Sequence, residues 1–469
     1  MENRQEQAKA YMQELVARAK KAQKTFERNY TEQRKVDEVA RVVGLTLSEK
    51  AMDLAQAAVA ETAMGDIASK VFKLQAMALV QWNFMKGKNT VAPEEVPGEP
   101  GVRMAPKPMG VIGCVMPSTN PIATIIGNGM MGLKCRNAVI IAPHPGSAKI
   151  SEVCCSIIRE GLEAIGAPAD LVQCIDREHA SLEATNEMLS QCDVNIATGG
   201  AGMVKAVYSA GRPAFGVGQG NCQVIIDQDW TDYALMAKTV ITNRAFDEGV
   251  PCTGEQTVHV PAQRELEFLE AMKATGAYVM DSTEDIARFR ELLFPNGTTS
   301  INRAVVGKVP HILGGMIGLE VPETAPVILL KNQAKGVEDV LCREILCPVI
   351  RYSTYETFED AVDWAVTNLE NEGAGHSSSY WGSNSQHIDY AAARVPVGRL
   401  HVNNSTLGMG TGCPNTCTIG CGSWGNNSIS ENLQYYHLMN KTRITVPLAN
   451  MKEPTPADWA DFDLYDIEG

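Results

Sequence analysis

The sequence predicts an α/β fold: two doubly wound αβα units, followed by a return segment that carries one further strand. Three observations predict it. Residues 108–210 alternate short apolar runs with helical windows, and a second series of the same kind runs from near Ile225 to about Leu400. The third is supply: of 469 residues 45% are apolar and 20% charged, enough to fill several layers. Apolar runs of four to seven residues separated by helices are the mark of parallel strands buried on both faces.

The elements follow in order. Residues 8–87 read as helices, with Met12, Leu15, Val16, Ala19, Ala22 and Phe26 at the spacing of one buried face. Pro93, Pro97, Gly98, Pro100 and Gly101 then mark an exposed crossing. Strands are predicted at 110–116, 138–142, 171–175 and 194–198, and helices at 122–134, 147–165, 181–191 and 203–210. Ligands on such sheets sit at the carboxyl ends of the strands, so the loops that matter are 117–121, 143–147 and 198–202. The second series includes strands at 257–261 and 326–330. Past Leu400 come a Gly/Cys/Asn-rich loop, a strand-like segment at 442–447 and an acidic tail.

Charge narrows the function. Lys and Arg number 41 against 55 Asp and Glu, a net charge of −14, which argues against a nucleic-acid partner. The longest apolar stretch, 122–133, contains Asn128 and stops at Lys134, short of a membrane span. Glu2, Arg4, Glu6 and Lys9 leave no apolar export segment at the start. The 13 cysteines therefore read as reduced thiols of a cytoplasmic protein.

Four places carry chemistry-bearing residues. The run Ala197-Thr-Gly-Gly-Ala-Gly202 follows a buried strand and precedes a helix; a pyrophosphate site and a plain turn explain it equally well. Cys252, in Gly-Val-Pro-Cys-Thr-Gly, is placed on a turn rather than in a core, but taken alone, as one cysteine of 13, it reads as an inert buried thiol. Cys413, Cys417 and Cys421 form a C-x3-C-x3-C run. It lacks the C-x2-C pairing of structural zinc sites, and reads as loop thiols with no metal. His376 lies in a glycine-flanked loop.

Taken together, these segments resemble the aldehyde dehydrogenase superfamily, and specifically its coenzyme A-acylating branch. The resemblance spans roughly residues 10–447 and holds the family's order. Its pieces are Pro117-Ser-Thr-Asn120-Pro, Ala142-Pro-His144-Pro, Thr198-Gly-Gly200, Gly216-Val-Gly-Gln-Gly-Asn221, the Cys252 loop, Glu344 before Cys347-Pro348, Gly375-His376 and the 420–428 glycine loop. The resemblance implies a nucleotide-binding domain with N-terminal helices over 1–224 and a catalytic domain over 225–430. Residues 431–469 would return to the first domain with a subunit-bridging strand and the acidic tail, in a homodimer or homotetramer.

By the same resemblance Cys252 is the nucleophile and Asn120 supplies an oxyanion donor. Pro117, Ser118, His144, Ser147, Thr198, Gly199, Gly200, Gly218 and Glu344 hold the nicotinamide cofactor. Hydrolytic members carry a general-base glutamate where this chain has Gly216, so water lacks its activator. The acyl group is then expected to pass to coenzyme A, helped by His376. The loop His144-Pro-Gly-Ser147-Ala-Lys149 has no acid facing an adenine ribose, which admits NADP as well as NAD. A short aldehyde with an anionic tail, succinate semialdehyde or sulfoacetaldehyde, is the expected substrate, with acetaldehyde or propionaldehyde as the alternative. Arg212, Thr253, Ser405 and Thr406 are the residues expected around it. A hydrolytic aldehyde dehydrogenase, a metal protein built on the 413–421 cysteines and a non-catalytic subunit are the competing readings.

Overall fold

The computed structural model describes residues 2–414, 416–449 and 455. Four helices open the chain: Glu2–Asn29, Gln33–Glu49, Ala51–Thr62 and Ile67–Met85. The first buries Met12, Leu15, Val16, Ala19, Ala22 and Phe26, the face its spacing predicts. The fourth starts where the Asp66 carboxylate accepts the Ser69 N–H at 2.8 Å, closing an otherwise orphan donor.

A five-stranded parallel sheet follows. Its order across the sheet is Val172–Cys174, Ala138–Ala142, Val111–Val115, Val194–Thr198 and Ala214–Val217. Each predicted strand is present: 138–142 and 194–198 as predicted, 110–116 and 171–175 each one residue shorter at both ends. Strand order reverses at Val111–Val115, so a crevice opens at its carboxyl end. That end delivers residues 117–120 to the crevice, while Pro121, locked in φ, begins the helix Pro121–Lys134.

The second sheet is also parallel and has seven strands. Its order is Tyr278–Met280, Ile328–Lys331, Val349–Tyr355, Glu255–Pro261, Cys222–Ile226, Gly375–Trp381 and Val397–Val402. Order reverses again, at Cys222–Ile226, which lies between Glu255–Pro261 and Gly375–Trp381. The loops 218–221, 251–254 and 343–348 lead into three of these strands and therefore gather at the amino ends of the sheet.

A third, antiparallel sheet pairs Val102–Pro108 with Met439–Thr445 and with the short Glu94–Glu95. The strand predicted at 442–447 begins earlier and ends at Thr445: Val446 still donates to Gly101 at 3.0 Å, but Pro447 has no N–H to continue the ladder. Just before this strand, Leu433 and Leu438 are buried in the core of the first sheet, as is Met439. The predicted acidic tail lies outside the described residues, Thr455 apart. Among the described residues, no helix is long and apolar enough to cross a membrane.

Candidate active site

The carboxyl-end crevice of the first sheet and the amino ends of strands in the second face one cleft of about 1160 Å³. Pro117, Ser118, Asn120, His144, Thr198, Gly199, Gly200, Gly218, Cys252, Thr253, Glu344 and Thr406 all line it, although the chain brings them from segments far apart.

Cys252 reaches the cleft because the backbone ahead of it is forced out of helix. Asp247, Glu248 and Gly249 take successive positive φ values of 49°, 54° and 68°. For the two non-glycine residues such a conformation costs about 1–3 kcal/mol each, and local bonds offset it. The fully buried Asp247 carboxylate pairs with Lys70 at 3.1 Å and with Lys73, and accepts the Asp66 N–H at 3.0 Å. The Asp247 N–H in turn donates to Ser69 Oγ at 3.1 Å. Beyond the corner, Gly254 N–H closes a turn on the Pro251 carbonyl at 3.0 Å, leaving half-buried Cys252 at its tip.

Gly220 packs on the other side of that turn. A Cβ there would fall 2.1 Å from the Cys252 carbonyl oxygen, so no side chain fits. The Gly220 N–H donates to Glu344 at 2.8 Å. Burial, and after it the nearby Glu344 charge, push the Cys252 thiol up to about 12. The resting thiol is therefore protonated and must be activated once substrates fill the cleft.

Burial likewise pushes Glu344 up to about 8, against the Gly220 N–H, which favours the charged form. An unfolded chain releases this proton near 4.5, so the folded state binds it more tightly between about 4.5 and 8. Its contribution to stability falls as pH rises through that window and levels off above it. Glu344→Gln removes the dependence. The melting temperature of the variant minus that of the parent should grow between about pH 6 and about pH 8.5; a difference that stays constant would refute the assignment.

Asn120 is the N-cap of the helix Pro121–Lys134, a position where asparagine ordinarily bonds back to the first turn. Here the side chain makes no such bond. Its Oδ1 accepts the Lys73 ammonium instead, and the amide NH2 makes no hydrogen bond to any described residue.

The other arm of the cleft fits a dinucleotide. Thr198 Oγ1 is buried without a partner, and Gly200 caps the helix Ala201–Ser209 without a side-chain bond. A Cβ at Gly200 would meet nothing within 4 Å, so there is open room above the helix start for a pyrophosphate. His144 lies further along, and burial and Arg303 hold it below the ordinary histidine range.

An acid that the sequence does not reveal also lies here. Glu61, from the third N-terminal helix, lines the cleft and accepts the Lys149 N–H at 2.9 Å and the Ile150 N–H at 2.7 Å. It caps the helix Ala148–Ala164 from a distance, because Ser147 provides no side-chain cap. An acid 88 positions away in sequence thus borders the 144–149 loop.

Four predicted residues are placed elsewhere. Ser147 is fully buried behind the loop, its Oγ on the His144 carbonyl at 3.4 Å. Arg212 is exposed and donates to the Ser190 carbonyl at 2.9 Å, outside the cleft. Ser405 is buried behind the wall that its neighbour Thr406 forms. His376 is fully buried in the strand Gly375–Trp381, its Nδ1 3.8 Å from Cys222 Sγ and its Nε2 without a partner. Side chains alternate along a strand, and it is Ser377 that faces the cleft.

The second-sheet histidine that does line the cleft is His401, on the edge strand Val397–Val402. It makes no hydrogen bond to a described residue, and burial and Arg399 hold its pKa down. Cys413 and Cys417 line the cleft, and Cys421 is buried. Gly216 does not line it, and a Cβ there would fall 2.9 Å from the Tyr208 ring.

Comparison with known proteins gives the same picture. The aldehyde dehydrogenase family profile matches residues 2–416. The succinate-semialdehyde dehydrogenase (acetylating) of Clostridium kluyveri is 41% identical over 437 residues, 92% of this chain and 95% of that protein. A sulfoacetaldehyde dehydrogenase of an Acholeplasma species is 35% identical over 438 residues, covering 92% and 90%. The crystal structure of an acetylating aldehyde dehydrogenase from Geobacillus thermoglucosidasius superposes with a TM-score of 0.90 at 31% identity, over 96% of this chain and 99% of that one. With its cysteine on a turn at the amino end of a second-sheet strand, across one cleft from the first sheet's crevice, the chain belongs to the aldehyde dehydrogenase family.

Proposed function

We propose that the protein oxidises a short aldehyde to its coenzyme A thioester with NAD(P)+, reversibly, through a thioester on Cys252. One observation carries the choice of coenzyme A over water: position 216, where hydrolytic members carry their general-base glutamate, holds a glycine that does not line the cleft. A carboxylate at position 216 would collide with Tyr208. Glu344 is held protonated near neutral pH and is already bonded to the Gly220 N–H.

The chemistry follows from the residues present. The Cys252 thiol gives up its proton to water in the cleft and adds as the thiolate to the aldehyde carbon, and the developing oxyanion is received by the free Asn120 NH2 and by the Cys252 N–H. A nicotinamide, when bound, supplies the hydride acceptor, and the thiohemiacetal then becomes a thioester. The neutral imidazole of His401 takes the proton of the incoming coenzyme A thiol, whose sulfur displaces Cys252. His401→Gln should slow turnover in coenzyme A while preserving the single-turnover burst of NAD(P)H; loss of the burst itself would remove His401 from that step.

The deciding experiment follows NAD(P)H absorbance with and without coenzyme A. Its panel is succinate semialdehyde, sulfoacetaldehyde, acetaldehyde and propionaldehyde. Turnover that requires coenzyme A supports the reading, and steady turnover without it refutes it. The identity with the Clostridium and Acholeplasma proteins favours an aldehyde with an anionic tail.

Glu61 bears on the cofactor. Its carboxylate lines the cleft beside the 144–149 loop, and a negative charge there disfavours a cofactor that carries a 2′-phosphate. Glu61→Gln keeps an amide oxygen for the helix start and removes the charge. NADP affinity relative to NAD, measured by fluorescence titration, should rise about tenfold, the scale of one like-charge contact; an unchanged ratio would reduce Glu61 to a helix cap.

The domain limits 1–224, 225–430 and 431–469 belong to the same proposal. So does a homodimer or homotetramer joined through Met439–Thr445, an edge strand largely exposed to solvent. Light scattering tests the assembly.

A further inference from the structure

We infer that Lys73 is a positioning residue of the reaction: it holds the Asn120 amide with its donor end toward the reacting carbonyl. The inference rests on the oxyanion role proposed for Asn120 and adds the group that enforces it.

Lys73 sits on the helix Ile67–Met85, one turn beyond Lys70, and lines the cleft with its side chain 15% exposed. Its ammonium bonds two oxygens, Asp247 Oδ2 and Asn120 Oδ1. An ammonium has three donors and no acceptor, so the amide atom facing it must be oxygen. The orientation of the amide, ordinarily ambiguous, is therefore set by the chemistry of its partner. The NH2 is left on the far side, free to donate into the cleft.

Two further features make this a device for orientation. An N-cap asparagine would ordinarily turn its oxygen onto its own helix, and Lys73 withdraws that oxygen. The cation on Oδ1 also polarises the amide, which strengthens its N–H as a donor. Asp247, for its part, does not depend on Lys73. Lys70 and the Asp66 N–H bind it as well, at 3.1 and 3.0 Å. The Phe246 ring, 6.0 Å from Nζ, flanks the ammonium.

The test is a double-mutant cycle on the full-length enzyme with Lys73→Met and Asn120→Ala, read as kcat and KM for succinate semialdehyde and for propionaldehyde. Lys73→Met should lower kcat about 10- to 100-fold for both aldehydes, part of the loss expected for a missing oxyanion donor. KM should barely move. In the Asn120→Ala background the same substitution should cost almost nothing further, because the group it acts through is gone. Lys73→Arg should recover part of the rate, and melting temperatures report any general damage.

Losses that multiply in the double variant would overturn the inference and leave Lys73 a structural partner of Asp247. A rise in KM confined to the anionic aldehyde would overturn it too, making Lys73 an anchor for the tail. If Asn120→Ala alone keeps full activity, the oxyanion reading fails first; a slow Lys73→Met beside a fully active Asn120→Ala would separate the two failures.

Discussion

Cys252→Ala should lose at least about 10⁴-fold in coenzyme A-dependent NAD(P)H formation, the scale seen when a covalent nucleophile is removed. The fold should survive. The thiol sits half-buried at a turn tip, so its loss opens no core cavity, and the corner that presents it is held by Asp247 and Gly249. A second readout guards against indirect effects. Incubated with an acyl-CoA, the parent should gain the acyl mass on the peptide that contains Cys252, and the variant should gain none. Residual turnover within about tenfold of the parent would move the nucleophile elsewhere, and Cys417, which faces the same cleft, would be the next to test.

Asn120→Ala should lower kcat by about 10²- to 10³-fold with KM little changed, as for removal of one donor to a developing oxyanion. Asn120→Asp is the sharper variant. It keeps the shape and offers Lys73 an oxygen, but an ionised carboxylate has no N–H to give. Its loss should equal or exceed that of the alanine variant, in both directions of the reaction. An aspartate variant as fast as the parent would show that the side chain only fills space.

The first sheet was legible because fully buried parallel strands read as unbroken apolar runs. Residues 111–115 and 138–142 have no exposed position at all. The second sheet was less so. Gly375–Trp381 contains His376 and three serines, yet every residue is buried, and the side-chain oxygens of Ser378 and Ser379 have no partner among the described residues. No apolar pattern marks such a strand, and without its parity the sequence could not say that Ser377, not His376, faces the cleft.

Cys252, Asn120 and Thr198 were legible as ordered motifs. Lys73 and Glu61 were not, since each acts on a site 47 or 88 residues away through an unremarkable helix face. Asn and Ser are good N-caps by sequence, and only the structure shows that neither Asn120 nor Ser147 bonds its own helix start.

The contact between Gly220 and the Cys252 carbonyl limits how such an enzyme can diversify over generations. With a single methyl falling 2.1 Å from that oxygen, the position is closed to drift, and the peptide that links the thiol to Glu344 is inherited as a block. Novelty in aldehyde choice is channelled to surfaces that line the cleft without supporting that block. Those surfaces are the helix face of Phe72, Ala76 and Val80, and the loop that carries Leu407, Met409 and Thr416. A lineage can rewrite either one side chain at a time, and the thiol chemistry travels unchanged beneath a shifting substrate range.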